Sequence, residues 1–204
     1  MRRLYFFTAL LFGMLFALAA FSEPTWRYDD VLAHMQSVNS IRCAFEQEKS
    51  IRALSKPLRS AGTFRYLKGA GILWKTEQPF PSTFSISERG ITKKFAGASE
   101  HVSVRDNPAL ARITSVFLSL FSADRKNLEE KFAPRFESSA RGWTIVLVPR
   151  DQMVKSMVRD LTLRGTTDVE SITLHENSGD QTQISFSQRE INLPFSDAER
   201  ADFD

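Results

Sequence analysis

The spacing of apolar residues changes several times along this chain, and each change marks a different kind of element. Val31, Leu32, Met35 and Val38 follow Trp26 at helical intervals, which predicts one short amphipathic helix ended by Asn39-Ser40. From Ile41 the period drops to two. Ile41, Cys43 and Phe45 alternate with Arg42, Ala44 and Glu46, as in a half-buried strand that reaches Ser50. Further runs at 58–67, 71–76, 82–87, 91–95 and 101–104 are separated by Lys68-Gly69-Ala70, Pro79-Phe80-Pro81, Glu88-Arg89-Gly90 and Gly97-Ala98. Short strands joined by tight turns predict an antiparallel meander, and no stretch between them is long enough for a parallel crossover.

The alternation breaks at Asn107-Pro108. Leu110, Ile113, Phe117, Leu118, Leu120 and Phe121 then recur at helical spacing with few charges, so this helix is apolar over much of its surface. A second helical piece is expected over 124–132. Strands resume at 135–138, 143–148, 158–163, 169–176 and 181–187, with Asn177-Ser178-Gly179-Asp180 as a hairpin turn between the last two. The tail after Pro194 is polar and is expected to be loosely held. The order helix, meander, apolar helix, meander predicts a mainly β fold: one long curved antiparallel sheet covered by helices, with nothing that demands full closure.

The first residues carry a different message. Arg2 and Arg3 precede a run from Leu4 to Phe21 without a charge, and Ala20-Phe21-Ser22 supplies small residues around a cleavage point. This pattern predicts a secretion signal over 1–22, cut after Ser22, with Ala19 as the other candidate position and an uncleaved anchor as the alternative. The only cysteine is Cys43, away from that point, so no lipid anchor and no internal disulfide are expected. Residues 23–204 then form a single domain of 182 residues, read as a monomer. Its export also corrects the charge: the formal +3 of the whole chain falls to +1 without Arg2 and Arg3, which removes the argument for nucleic acid. The charge that remains is uneven. Residues 40–100 hold 11 basic and 5 acidic side chains, against 13 and 16 in 101–204. The basic sector around Arg59, Arg65 and Lys75 is either a solvated face or a surface for an acidic partner or anionic lipid heads.

Chemistry is sparse. His34, His101 and His175 have no metal-ligand spacing, no Gly-x-Ser-x-Gly elbow nominates a nucleophile, and no glycine loop is built for phosphate. Neither catalysis nor a cofactor is expected. The chain is rich instead in aromatic residues, with 17 Phe, 3 Trp and 3 Tyr. Phe45, Phe64, Ile72, Trp74, Phe84, Ile86 and Phe95 fall on one face of the first meander, and Ile113, Phe117, Leu118 and Phe121 of the apolar helix could close over it. A filled core and a ligand cavity share this pattern, and the filled core is the commoner outcome.

Residues 40–90 resemble the LolA family of periplasmic lipoprotein carriers. The resemblance is carried by Phe45-x-Gln47-x-Lys49, Pro57-Leu58-x-Ser60-x-Gly62-x-Phe64, Gly71-Ile72-Leu73-Trp74, Pro79 and Gly90. It implies an incomplete β-barrel with a helical lid, located in the periplasm of a Gram-negative envelope, whose apolar concavity holds acyl chains. It also implies cargo, either lipoprotein or another acylated molecule, passed from an inner-membrane donor to an outer-membrane acceptor. The ten residues from Phe45 to Phe121 named above, Phe95 aside, become the expected cavity lining. In the family an Arg-Pro pair ahead of the tryptophan ties barrel to lid; here that stretch reads Lys68-Gly69. Lysine keeps the charge and loses the planar fork, so Lys68 is the latch candidate. A docking protein with a filled core and an enzyme acting on lipid are the rival readings.

Overall fold

The computed structural model describes residues 26–122 and 125–203; the expected signal segment and its cleavage point at Ser22 lie outside the described residues. The order is α1 (Tyr28–Ser37), β1 (Ser40–Ser50), β2 (Leu58–Leu67), β3 (Gly71–Gln78), β4 (Ser82–Ser87), β5 (Gly90–Phe95), β6 (Ala98–Ser103), α2 (Pro108–Ser122) and α3 (Arg125–Lys131). There follow β7 (Phe132–Ser139), β8 (Gly142–Pro149), α4 (Gln152–Met157), β9 (Val158–Gly165), β10 (Val169–Glu176), β11 (Gln181–Ile191) and α5 (Asp197–Ala201). Every expected strand is present. The two helices not foreseen are both short: α4, capped by Asp151, whose carboxylate accepts from the N–H groups of Met153 and Val154, and α5.

Among the described residues the strands form one antiparallel sheet of eleven, in the order β6-β5-β4-β3-β2-β1-β11-β10-β9-β8-β7. The two meanders are therefore joined by β1 against β11, and the sheet stays open, with β6 and β7 as its edges. An edge position explains how β7 includes Pro134, which the alternation alone had placed outside the strand. Where the pairing of β2 with β3 is interrupted between Ala61 and Gly62 the backbones approach closely: a Cβ on Gly62 would stand 2.0 Å from the Lys75 carbonyl oxygen, so only glycine fits there.

The register sets which side chains share a face. Cys43 opposes Phe64, Phe64 opposes Trp74, Trp74 opposes Phe84 and Ile72 opposes Ile86. On the other meander Ile184 opposes Ile172, Ile172 opposes Leu163, and Leu163 opposes Ile145. All of these lie on the inner, concave face. Helix α2 crosses over it, packing against β4 and β5 on one side and against α1 and α3 on the other.

The outer face carries a correction. The tail is not loosely held: Phe195 and Phe203 are buried against Leu73 on the convex side of the sheet, ring to ring at 5.7 Å. Arg42 donates through Nε and Nη2 to Glu199 and stacks its guanidinium 3.9 Å from the Phe195 ring centroid, while Arg65 pairs with Asp202 at 3.0 Å. Ser196 and Glu199 form a reciprocal capping box that starts α5. Part of the basic sector thus meets the acidic end of its own chain. Arg59 pairs with Glu48 and Lys75 with Glu77, so the three cations that marked the sector each have a carboxylate partner.

Candidate ligand cavity

The inner face is built by period-two burial on each strand, because one side of the sheet must leave water while the other remains in it. Two buried clusters result. One gathers Cys43, Phe45, Phe64, Tyr66 and Ile72 from β1 to β3; the other gathers residues of β7 to β10 with α1, α2 and α3, around Phe132, Trp143 and Ile145. Phe121 of α2 and Phe186 of β11 pack against both. Their rings are close to Phe64, with centroids at 5.2 Å for Phe121 and 5.5 Å for Phe186, and Phe121 also reaches Tyr66 at 5.8 Å. Trp74 completes the set, 4.2 Å from Phe45 and 5.6 Å from Phe64. Such tilted and edge-on pairs add roughly 0.5–1.5 kcal/mol each beyond their area burial.

Between the clusters lies a cavity of about 60 Å³. Its floor is apolar, made by Phe64, Phe121, Phe186, Ile172 and Leu163, with Cys43 beside them. Burial pushes the Cys43 thiol up to about 12. The charged or titratable groups at the other end of the lining are His34 on α1, Asp168 in the β9–β10 turn and Arg189 on β11. His34 Nε2 donates to Asp168 Oδ1 at 2.8 Å, joining helix to turn at the cavity edge. The volume is well under the ~150 Å³ that accommodates a benzene ring, so the interior beneath the helices is nearly filled by its own side chains.

Arg189 reaches this lining through a β-bulge. From Ser50 to Ala44 each β1 residue faces a β11 partner in constant register, but Arg42 faces Glu190 where the same register would give Arg189. One extra residue has been inserted in β11, with Gln188 at φ +52°. The insertion turns Arg189 to the side of Phe186 and Ile191, whereas unbroken alternation would send it outward.

Of the expected lining, the structure brings Phe45, Phe64 and Ile72 together as buried members of one cluster, with Trp74, Ile86, Leu118 and Phe121 packed on it. Phe64 and Phe121 touch the cavity itself. Phe84 shares the face by register but is only partly covered, with Lys93 Nζ 5.9 Å from its ring centroid. Phe95 is 47% exposed at the rim of the sheet and belongs to no core. The side chains of Ile113 and Phe117 lie outside the described residues. Lys68, the latch candidate, meets α1 and not the apolar helix expected as the lid: its Nζ donates to the Gln36 carbonyl at 3.0 Å and its N–H to Asn39 O at 2.9 Å, both at the carboxyl end of α1. Periodicity missed the rim residues His34, Asp168 and Arg189. The bulge that turns Arg189 inward has a signal only in the length of β11 beyond Ser187, where three of the next four residues are polar or charged.

An open antiparallel sheet wrapped around an apolar hollow, with helices across its mouth, defines the half-open β-barrel class of fold. The sequence narrows this: residues 20–186 match the family described as outer membrane lipoprotein carrier protein LolA-like, and the chain belongs to that family. No curated protein matches the sequence. Among solved structures the chain is similar to a DUF1329 family protein from Desulfovibrio piger (8% identity, 84% of this chain and 94% of that one, TM-score 0.47). It is also similar to lipoprotein LppX of Mycobacterium tuberculosis (13%, 82% and 94%, 0.45) and to a LolA superfamily protein from Nitrosomonas europaea (12%, 81% and 94%, 0.44). Membership rests on the sequence match and not on these distant likenesses.

Proposed function

We propose that this protein is a periplasmic acyl-chain carrier without enzymatic activity, moving lipoproteins or another acylated molecule from an inner-membrane donor to an outer-membrane acceptor. The observation that carries the reading is the continuous apolar inner face, which converges on a cavity roofed by helices. Each acyl methylene placed there gains about 0.8 kcal/mol, so a chain of ordinary length binds without polar recognition. The helical roof has to move for entry. It is held by side-chain packing, through Leu118, Leu120 and Phe121 on the inner face, rather than by any strand pairing, which suits an element that opens at modest cost. Family membership supports the location and the cargo class.

The tight aromatic filling favours one rival, a docking protein whose core is simply full. Phe121→Glu separates the two. In a carrier, the variant folds and loses binding of a fluorescent fatty acid whose emission rises in apolar surroundings. In a filled core, it loses several kcal/mol of stability and the native protein never binds the probe.

A further inference from the structure

We infer that the cavity discriminates its ligands by headgroup, and that Arg189, seated beside the His34–Asp168 pair, receives the anionic end of a single-chain or acylated amphiphile whose tail lies toward Phe64. This rests on the acyl-carrier reading and sharpens it.

The cavity is graded from apolar to polar. At the floor Phe64 is 1% exposed, whereas the side chains of His34, Asp168 and Arg189 keep 38%, 25% and 26% of their surface in contact with water. A molecule with an apolar tail and a charged head satisfies both ends at once. The guanidinium is the group best placed to meet that head. Of its five N–H donors, one goes from Nη1 to the Val169 carbonyl at 3.2 Å, and Nη2 stands 3.6 Å from Glu170 Oε1, beyond a good hydrogen bond. Asp168 accepts from His34, and Glu170, whose Oε1 accepts from the Thr166 hydroxyl at 2.7 Å, faces Arg189 as an ion pair across 3.6 Å and not as a hydrogen-bond partner. Donors therefore remain on Arg189 for a carboxylate or phosphate, which the planar fork binds in bidentate fashion.

The position is also costly to build by accident. The part of the inner face around the cavity, made by Ile41, Cys43, Phe64, Ile172 and Phe186, receives an arginine only because the bulge at Gln188 shifts the alternation by one. Without the bulge the same residue would lie on the solvated outer face. Bulges that re-aim one side chain in this way recur beside functional sites.

The test is a titration of the purified protein, its Arg189→Gln and Arg189→Lys variants and an Arg59→Gln surface control. The probes are dodecanoate, dodecyl phosphate and dodecanol, which share one tail and differ in head. Expected is at least tenfold tighter binding of one or both anions than of dodecanol to the native protein and to the Arg59→Gln control, with the anion that binds tighter identifying carboxylate or phosphate as the head. In Arg189→Gln that ratio falls to near one while dodecanol binding changes less than threefold; Arg189→Lys keeps part of it. Because the ratio is taken within each variant, a general loss of stability cancels. Equal affinities for all three probes in the native protein, or an unchanged ratio in Arg189→Gln, overturns the inference and leaves the carrier reading standing. Failure of every probe to bind the native protein overturns both.

Discussion

At the scale of single residues, two groups report on the two faces of the sheet. On the outer face, the Glu199 carboxyl is held down to about 2, chiefly by the hydrogen bonds from the Arg42 guanidinium and then by those from Ser196. A carboxylate lowered by folding stabilises the docked tail above its ordinary value near 4.5, and that contribution disappears as pH falls toward 2. The ring signals of Phe195 and Phe203 are therefore expected to move toward unfolded positions by NMR between pH 4.5 and 2; in Glu199→Gln this change loses its pH dependence. On the inner face, Cys43 is buried and its thiol is neutral at any ordinary pH. Its modification by an aromatic disulfide reagent at pH 8 is expected to be at least a hundredfold slower than in the unfolded chain, with the rate set by opening of the lid. What was legible at this scale was burial: Cys43, Phe45, Phe64 and Ile72 were readable because strict alternation marks a face. Arg189 was not, because a one-residue insertion inverts that rule without altering composition.

At the scale of elements, legibility followed length and locality. β2 and β4 run over the ranges their alternation defines, and α2 over its apolar run with two more residues at the start and one at the end. β11 continues past Ser187 because the bulge, not the end of pairing, interrupts its pattern. α5 was hidden for another reason. Five residues cannot hold a helix alone, and the partners that fix it, Arg42, Arg65 and Leu73, lie more than a hundred residues earlier. The capping signature Ser196-x-x-Glu199 was in view and was the one local sign that the tail is built rather than loose. Phe203→Ala should then cost about 3 kcal/mol by denaturant unfolding, since a ring 2% exposed is removed from a site with little room to relax. The lid gives the contrasting case. Phe121 is only partly buried yet bridges both clusters, so Phe121→Ala is expected to cost about 2 kcal/mol and to speed Cys43 labelling severalfold. Stability loss without faster labelling would mean that α2 is a fixed part of the core.

At the scale of the whole molecule, the sheet was readable as a sequence of hairpins, and its openness as the absence of any pattern requiring closure. The contact that joins the halves, β1 with β11, was not readable, since no local signal links strands 140 residues apart. Nor could periodicity decide whether the concavity is full or hollow. The structure shows why: the same rings that pack the closed interior are those an acyl chain would touch once α2 moved. Cargo, not packing, is what separates a carrier from a docking protein. The direct measurement is mass spectrometry of a lipid extract from the protein purified out of its native envelope without detergent. A carrier yields acylated species in near-stoichiometric amount, reduced in Phe121→Glu; repeated extracts with no acyl species above background would contradict the account.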